Sequence, residues 1–171
     1  MNRLVLVDES GANTKMTRLR GRALGGPRLL ARIPHGHDQT STRIAGLRLG
    51  GACAPWLFGG AMNGEMFLAG VRQGLAPTLR PGDIVILDNL ATHKIPGVRD
   101  ALAAVGARLL YLPPYSPDFN PIEPMWSKIK QTLRRHAPRT EEELLQAAKA
   151  AFQSISSADC KGFFFSARYA T

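Results

Sequence analysis

Short apolar runs alternate with polar stretches along the first two thirds of this chain. Three runs, at 4–7, 84–87 and 108–112, are typical of strands that are buried on both faces. Two further segments, 42–49 and 54–61, flank a pair of glycines and predict an antiparallel hairpin. The early strands are joined by short links, whereas the later ones alternate with helical patterns. We therefore expect a mixed α/β sheet, with an antiparallel hairpin and parallel strands, flanked by helices.

Helical spacing of apolar residues predicts five helices, at about 64–79, 96–105, 121–138, 140–155 and 157–169. Asn63 is placed to cap the first, and Thr140 with Glu143 forms a capping box for the fourth. Asn120 is a good N-cap for the third helix, with Pro121 at its first position. Residues 11–27 predict an exposed loop, and 28–33 predict a short strand.

Three acidic residues stand out by their positions relative to the predicted elements. Asp8 and Asp88 each follow a buried strand, and Glu123 lies in the first turn of the helix that follows a third strand. Because ligands bind at the carboxyl ends of parallel strands, we expect the three side chains to meet on one rim. Glu123 also heads a polar helix face that continues to Lys130 and Arg134, which suits an acidic centre that acts on a polyanion.

Three ionised carboxylates in partial burial would raise one another's pKa values unless a cation lay between them. Oxygen ligands of this kind suit Mg²⁺ or Mn²⁺. Two such ions about 4 Å apart could activate water and stabilise the leaving oxygen of a phosphodiester. The residues therefore predict a metal-dependent reaction on nucleic acid, with Asp8, Asp88 and Glu123 as both catalytic residues and metal ligands.

The net charge supports a nucleic acid partner. The 171 residues carry 22 Lys and Arg against 13 Asp and Glu, which gives +9 at pH 7. Two blocks hold much of this excess: Lys15, Arg18, Arg20, Arg22, Arg28 and Arg32, and then Lys128, Lys130, Arg134, Arg135 and Arg139. His93 and Lys94 follow Asp88 closely and are further candidates for DNA contact.

Several function classes lack support in the sequence. No apolar run approaches the length of a membrane span, and the start of the chain does not read as a signal peptide. His35 and His37 have ligand-like spacing but no matching Cys or His pair for zinc. Two isolated cysteines are typical of a reducing compartment, so we expect a cytoplasmic protein.

The motifs around the three acids resemble one family. They are Val-Asp-Glu-Ser-Gly at 7–11, Leu-Asp-Asn at 87–89 with His93 and Lys94, Leu-Pro-Pro-Tyr-Ser-Pro-Asp-Phe-Asn-Pro-Ile-Glu at 112–123, and Trp-Ser-Lys-Ile-Lys at 126–130. Together they resemble the catalytic domain of a DDE transposase of the bacterial insertion-sequence branch of the mariner-like superfamily. The 34 residues between Asp88 and Glu123 match the spacing of that branch.

The resemblance implies a ribonuclease H-like fold in which Asp8, Asp88 and Glu123 bind two Mg²⁺ or Mn²⁺ ions. It implies cleavage at transposon ends, attack of the freed 3′-hydroxyl on target DNA at TA dinucleotides, a homodimer on DNA, and a place at the bacterial nucleoid. We expect a catalytic domain at 1–139 and a helical extension packed on it at 140–171. No helix-turn-helix precedes Asp8 in this sequence. This leaves three explanations open: the second reading frame of a split element, with a separately encoded helix-turn-helix as its partner, a truncated relic, or an excised domain.

Two alternatives stay open at this point. The first keeps the ribonuclease H-like fold but assigns a nuclease without strand transfer. The second is an inactive, DNA-binding remnant of a transposase. The predicted DNA-contacting residues serve either alternative equally well: Arg18, Arg20, Arg22, His93, Lys94, Lys128, Lys130 and Arg134.

Overall fold

The structure, a computed structural model, describes residues 2–22, 24–25, 28, 30, 32–34 and 40–169. Its strands are β1 (Leu4–Asn13), β2 (Thr40–Arg48), β3 (Gly51–Gly59), β4 (Ile84–Leu87) and β5 (Arg108–Tyr111). Its α-helices are α1 (Gly64–Gly70), α2 (Val98–Ala103), α3 (Ile122–His136), α4 (Glu141–Gln153) and α5 (Ser157–Ser166). A π-helical turn (Val71–Leu75) and a 3₁₀ turn (Ala76–Thr78) continue α1. Two more 3₁₀ turns lie at Ala91–Lys94 and Pro117–Phe119.

The five strands form one mixed sheet in the order β3-β2-β1-β4-β5. β2 pairs antiparallel with β1 and β3, and β4 pairs parallel with β1 and β5. The predicted hairpin and the predicted parallel part are both confirmed. In the parallel register Val7 lies opposite Leu87, so the residues that follow them, Asp8 and Asp88, emerge at the same edge of the sheet.

The sequence prediction for β1 was too short. The strand does not end at Asp8 but continues to Asn13, because β2 pairs with it as far as Asn13 and Thr40. Asp8 therefore lies inside a strand that is hydrogen-bonded to β2, although its parallel neighbour β4 has already ended. This position fixes the backbone of Asp8 more firmly than a strand-end loop would.

The loop prediction before β2 is only partly covered. Among the described residues at 28–33, none lies in a strand, so the short strand expected there is not found in that part. The remaining residues of that range, and the His35 and His37 pair, lie outside the described residues.

Two apolar layers cover the two faces of the sheet. Alternate residues of a strand point to opposite faces, and Val5 and Val7 pack with α1 and α2 in one core. Leu6 packs with α3, α4 and α5 in the other. By the same alternation Asp8 belongs to the α3 face and Glu9 to the α1 face.

The two C-terminal helices begin as the sequence predicts. The Thr140 and Glu143 capping box is present, and a second one joins Ser156 and Asp159. The buried residues of α4 and α5 belong to the same core as those of α3, and the division of the chain at residue 139 stays a prediction. Across the described ranges, no helix is both long and apolar enough to span a membrane.

Candidate active site

Asp8 is a buried carboxylate surrounded by other carboxylates. Its residue is only 6% exposed, and its Oδ1 accepts a hydrogen bond from the Glu9 backbone N–H at 2.8 Å. Burial, together with the negative charges of Glu9, Glu123 and Asp88, raises the pKa of Asp8 from 3.8 to about 7. A cation at this position would remove the electrostatic penalty that these neighbours impose.

Asp88 follows the last residue of β4 and is fixed through one of its two oxygens. Its Oδ1 accepts the backbone N–H of Leu90 at 3.1 Å and lies 2.6 Å from Nδ1 of His93. No described residue is recorded in contact with Oδ2. Asp88 is thus anchored on one side and has an oxygen left for another ligand.

Glu123 is exposed in the first turn of α3, where the helix dipole favours a negative charge. It lines a cleft of about 410 Å³ together with Asp88, Asn89 and Lys94. The opposite wall of this cleft is the proline-rich loop at 112–117. Two of the three predicted acids therefore face one cleft, and the third, Asp8, is close enough to feel both of their charges.

The loop before α3 differs in one detail from the sequence prediction. The side chain of Asn120 does not cap α3, which begins at Ile122 with Pro121 in the cap position. Instead the Asn120 carbonyl accepts the Glu123 N–H at 3.2 Å, because the 3₁₀ turn at Pro117–Phe119 already winds the chain into the helix. Glu123 is therefore placed by backbone hydrogen bonds and not by a side-chain cap.

The donor set fits a hard divalent ion in its chemistry, although the carboxylates are not drawn together. Within the described ranges no three His, Cys, Asp or Glu side chains are close enough to hold an ion as they stand. Asp8 and Asp88 each use Oδ1 for a protein contact, which leaves their Oδ2 atoms available, and Glu123 is exposed. Oxygen ligands of this kind are those that Mg²⁺ and Mn²⁺ prefer.

His93 occupies a place that the sequence did not reveal. It is fully buried, with Nε2 hydrogen-bonded to Oε2 of Glu9 at 2.9 Å and Nδ1 against Asp88. Burial lowers the pKa of His93, but the hydrogen bond to Glu9 and the charges of Glu9 and Asp88 outweigh it and raise the pKa above its usual value. The imidazole therefore links a carboxylate on β1 to the predicted catalytic Asp88.

The His93 ring is fully buried in this structure and does not reach the surface, and its contact with DNA stays a prediction. Phe67 packs on the ring with centroids 4.3 Å apart, and the Tyr111 hydroxyl donates to the His93 carbonyl at 3.1 Å. The sequence contained one indication of the contact between Glu9 and His93, which is that Glu9 directly follows Asp8 in the same strand. Neighbouring strand residues point to opposite faces of the sheet, so Glu9 was free to contact a different element from Asp8. Lys94, in contrast, is exposed and lines the cleft, with Nζ 5.8 Å from the Tyr111 ring centroid.

The two basic blocks meet in the structure. Arg18 and Arg20, from the loop after β1, line a groove of about 390 Å³ together with Arg134 and Arg135 of α3. Arg22 is exposed beyond them. This groove brings together arginines that are more than 110 residues apart in the sequence, Arg18 and Arg20 with Arg134 and Arg135, which favours a polyanionic partner.

The predicted DNA contacts on α3 fall into two kinds. Lys130 is partly exposed on the helix. Lys128 instead forms an ion pair with Asp159 of α5, with Nζ 2.6 Å from Oδ2. The hydrogen bond from Lys128, together with those from Ser156, lowers the pKa of Asp159 to about 2. The first role of Lys128 in the structure is therefore to join α3 to α5.

Comparisons with known proteins place these features in one family. The model of the family described as DDE superfamily endonuclease matches residues 3–145. A comparison with curated proteins finds no match.

Solved structures of Mos1 transposase share the fold. A Mos1 paired-end complex with the left transposon end is 16% identical, with a TM-score of 0.73 over 96% of this chain and 52% of that one. A pre-cleavage Mos1 transpososome is 15% identical, with a TM-score of 0.74 over 96% and 52%. The Mos1 mariner catalytic domain alone is 15% identical, with a TM-score of 0.66 over 96% and 76%. The chain thus spans about half the length of the transposases in the first two structures.

The predicted fold class is confirmed by these likenesses. The mixed five-stranded sheet with helices on both faces is the ribonuclease H-like fold of a transposase catalytic domain. Because the family model matches most of the sequence and includes all three acids, the chain belongs to the DDE superfamily endonuclease family.

Proposed function

We propose that this chain is the catalytic domain of a transposase that cleaves DNA at transposon ends and transfers the 3′-hydroxyl end into target DNA. The observation that carries the proposal is the environment of Asp8, a buried carboxylate whose pKa is raised to about 7 by burial and by Glu9, Glu123 and Asp88. Such an electrostatic penalty beside a cleft that Asp88 and Glu123 line is typical of a functional site. Membership of the DDE superfamily endonuclease family supports the same assignment.

Asp8, Asp88 and Glu123 would hold two divalent ions, Mg²⁺ or Mn²⁺. Bound there, the ions would supply activation of the attacking water or 3′-hydroxyl and neutralisation of the departing oxygen. Mos1 structures solved with Mg and with Mn support this choice of metal.

The protein's own groups would prepare the site in three ways. Asp8 would hold a cation in its ionised form, because a cation there would relieve the repulsion that raises its pKa. His93, which is hydrogen-bonded to Glu9, lies against one oxygen of Asp88 and would leave the other for a metal ion. Lys94 at the cleft, and the groove of Arg18, Arg20 and Arg134, would bind the DNA backbone on either side of the reacting bond.

The finer assignments follow the sequence motifs. We assign the chain to the bacterial insertion-sequence branch, with TA target sites, a homodimer on DNA and a location at the nucleoid. Residues 1–139 would form the catalytic unit, and 140–171 a helical extension on it. A Mos1 complex with transposon-end DNA supports DNA as the partner.

Plasmid nicking tests the catalytic part of the proposal. The protein with Mg²⁺ or Mn²⁺ should nick supercoiled plasmid, and Asp88→Asn should lose that activity. Equal nicking by the two proteins, or none by either, would point to an inactive DNA-binding remnant.

Strand joining tests the transfer step separately. An oligonucleotide that ends in a transposon-type 3′-hydroxyl should become covalently joined to plasmid, and a 3′-deoxy version should not. Nicking without joining would indicate a nuclease of the same fold.

A further inference from the structure

A second concave surface lies on the α4 side of the sheet, away from the active-site cleft. It is a groove of about 400 Å³ between the edge strand β3 and helix α4. Its walls are largely apolar and include Pro55, Leu57, Leu145 and Phe152. None of its lining residues also lines the cleft of Asp88 and Glu123.

Arg43 is the unexpected member of this lining. It lies in the middle of β2 opposite Leu57 of β3, and the residue is only 3% exposed. Its Nε and Nη2 atoms are buried and have no hydrogen-bond partner among the described residues. Burial lowers the pKa of the guanidinium. No carboxylate in the described part of the chain forms an ion pair with it.

A buried guanidinium without a partner is energetically unfavourable, and such groups in folded proteins are usually paired. An anion would both accept hydrogen bonds from these nitrogens and neutralise the charge, and Lys149 on the same groove adds a second cation that favours one. The apolar walls show that this anion is carried on an apolar body. Leu57 and Leu145 are respectively 37% and 48% exposed, so apolar area remains available to such a ligand.

The form of the groove indicates an extended polypeptide as the occupant. One wall is β3, which has a single strand neighbour, β2, in the described sheet, and the other is a helix. Edge strands of this kind accept an added extended segment. A DNA backbone is a poorer match, because every phosphate is flanked by polar sugar and further phosphates, whereas this groove flanks its cations with proline, leucine and phenylalanine.

We propose that the groove between β3 and α4 binds an extended segment of a partner polypeptide in which an acidic side chain is flanked, on the same face, by apolar side chains. The carboxylate pairs with Arg43, and the apolar neighbours cover Leu57, Leu145 and Phe152. This inference does not depend on the DNA chemistry proposed above, because the groove shares no residue with the cleft.

A pair of peptides tests the charge requirement. In an extended chain alternate residues share a face, so acetyl-Leu-Thr-Asp-Thr-Leu-amide presents one carboxylate between two leucines. Its partner, with Asn in place of Asp, differs only in charge. Calorimetric titration of the full chain should show about tenfold tighter binding of the Asp peptide, as expected for a charged hydrogen-bonded pair. Equal binding of the two peptides, or binding of neither, would overturn the proposal.

Matched variants locate the effect. Arg43→Met should abolish the preference for the Asp peptide, whereas Arg108→Met, the same change at an exposed arginine on the opposite edge strand β5, should leave it intact. Leu145→Ala should weaken both peptides equally. Retention of the preference in Arg43→Met would refute the assignment.

Two further measurements separate this reading from others. Because Arg43 lacks a partner, Arg43→Met should hold or raise the melting temperature of the free protein, whereas a structural arginine would lower it. Inorganic phosphate and a short DNA duplex should not displace the Asp peptide. Displacement by either would assign the groove to phosphate and overturn the peptide proposal.

Discussion

Two nearly buried aspartates show how differently this fold treats negative charge. Asp83, just before β4, is paired with Arg48 at 2.7 Å and accepts the Arg80 N–H at 2.8 Å. Burial raises the pKa of Asp83, but these partners outweigh it and lower the pKa below its usual value. Asp8, at the other end of the parallel strands, has acids as neighbours, and its pKa is raised to about 7. The fold stabilises a negative charge at one end of the parallel strands. At the other end it leaves the negative charge of Asp8 uncompensated, and this is where the proposed reaction would take place.

The strongest test of the comparison is Asp8→Asn. We expect plasmid nicking to fall by at least about a thousandfold, because the site loses an anionic ligand whose metal contributes several kcal/mol to the reaction. The variant should nevertheless unfold at a higher temperature than the natural protein at pH 8 without divalent ions. Loss of activity accompanied by a lower melting temperature would contradict the electrostatic explanation.

The free energy of unfolding should depend on pH because ionised Asp8 is unfavourable in the folded state. The folded pKa of Asp8 lies above its unfolded value of 3.8, so the folded state binds more protons between the two values. Stability from this group is therefore complete below about pH 4 and is lost as the pH rises through about 7, by at most about 4 kcal/mol.

Denaturant unfolding at pH 5 and pH 8, without divalent ions, measures this loss. The difference in free energy of unfolding between Asp8→Asn and the natural protein should grow from pH 5 to pH 8. A difference that does not change with pH would mean that Asp8 titrates normally.

Asp83→Asn should have the opposite pattern. Removing this carboxylate leaves Arg48, whose side chain is 19% exposed, without its partner, so we expect destabilisation by about 3 kcal/mol. The nicking rate of the folded variant should stay unchanged, because Asp83 precedes β4 and lies at the opposite end of that strand from Asp88. A variant of full stability would show that the ion pair contributes little.

Added Mg²⁺ should compensate the negative charge at Asp8, as Arg48 already does for Asp83. At one hundred times its Kd, the ion should stabilise the natural protein by about 2.7 kcal/mol, measured as a rise in melting temperature at pH 8. Asp8→Asn should respond much less, and Asp83→Asn should respond like the natural protein. The same rise in all three proteins would place the bound ion elsewhere.

The smallest effect is expected at His93. Because His93 holds Asp88 from behind, His93→Gln should slow nicking about tenfold, as losing a partner of a metal ligand typically does. Its DNA affinity should not change. Lys94→Gln, one residue on, is the matched control and should weaken DNA binding while leaving the rate at saturating DNA nearly intact. Weaker DNA binding by His93→Gln, with an unchanged nicking rate, would support a contact between His93 and DNA.

The features that could be predicted from sequence are those written in local patterns. The apolar runs at β1 and β4 indicated two buried strands that are each followed by an aspartate, and the Thr140 and Glu143 box indicated the start of α4. The structure alone shows that these two strands are neighbours. The extent of β1 depended on β2, a partner some thirty residues away, so its end could not be read locally.

The contacts that were missed join residues far apart in the chain. Glu9 meets His93 across 84 residues, and Lys128 meets Asp159 from another helix. Arg43 looks like an ordinary polar position of a half-exposed strand until α4 is seen to cover it. The hydrophobic pattern of a sequence indicates which face of a helix or strand a residue occupies. Only the packed structure shows which residue of another element it contacts.

The position of Asp8 inside a continuous strand has a mechanical consequence. Hydrogen bonds to β2 run past it on one side, so its backbone cannot shift without breaking the sheet. Glu123, in contrast, rides on the first turn of a helix behind a proline-rich loop. We therefore expect Asp8 to keep its position when a ligand binds, so that any adjustment of the site falls to the proline-rich loop.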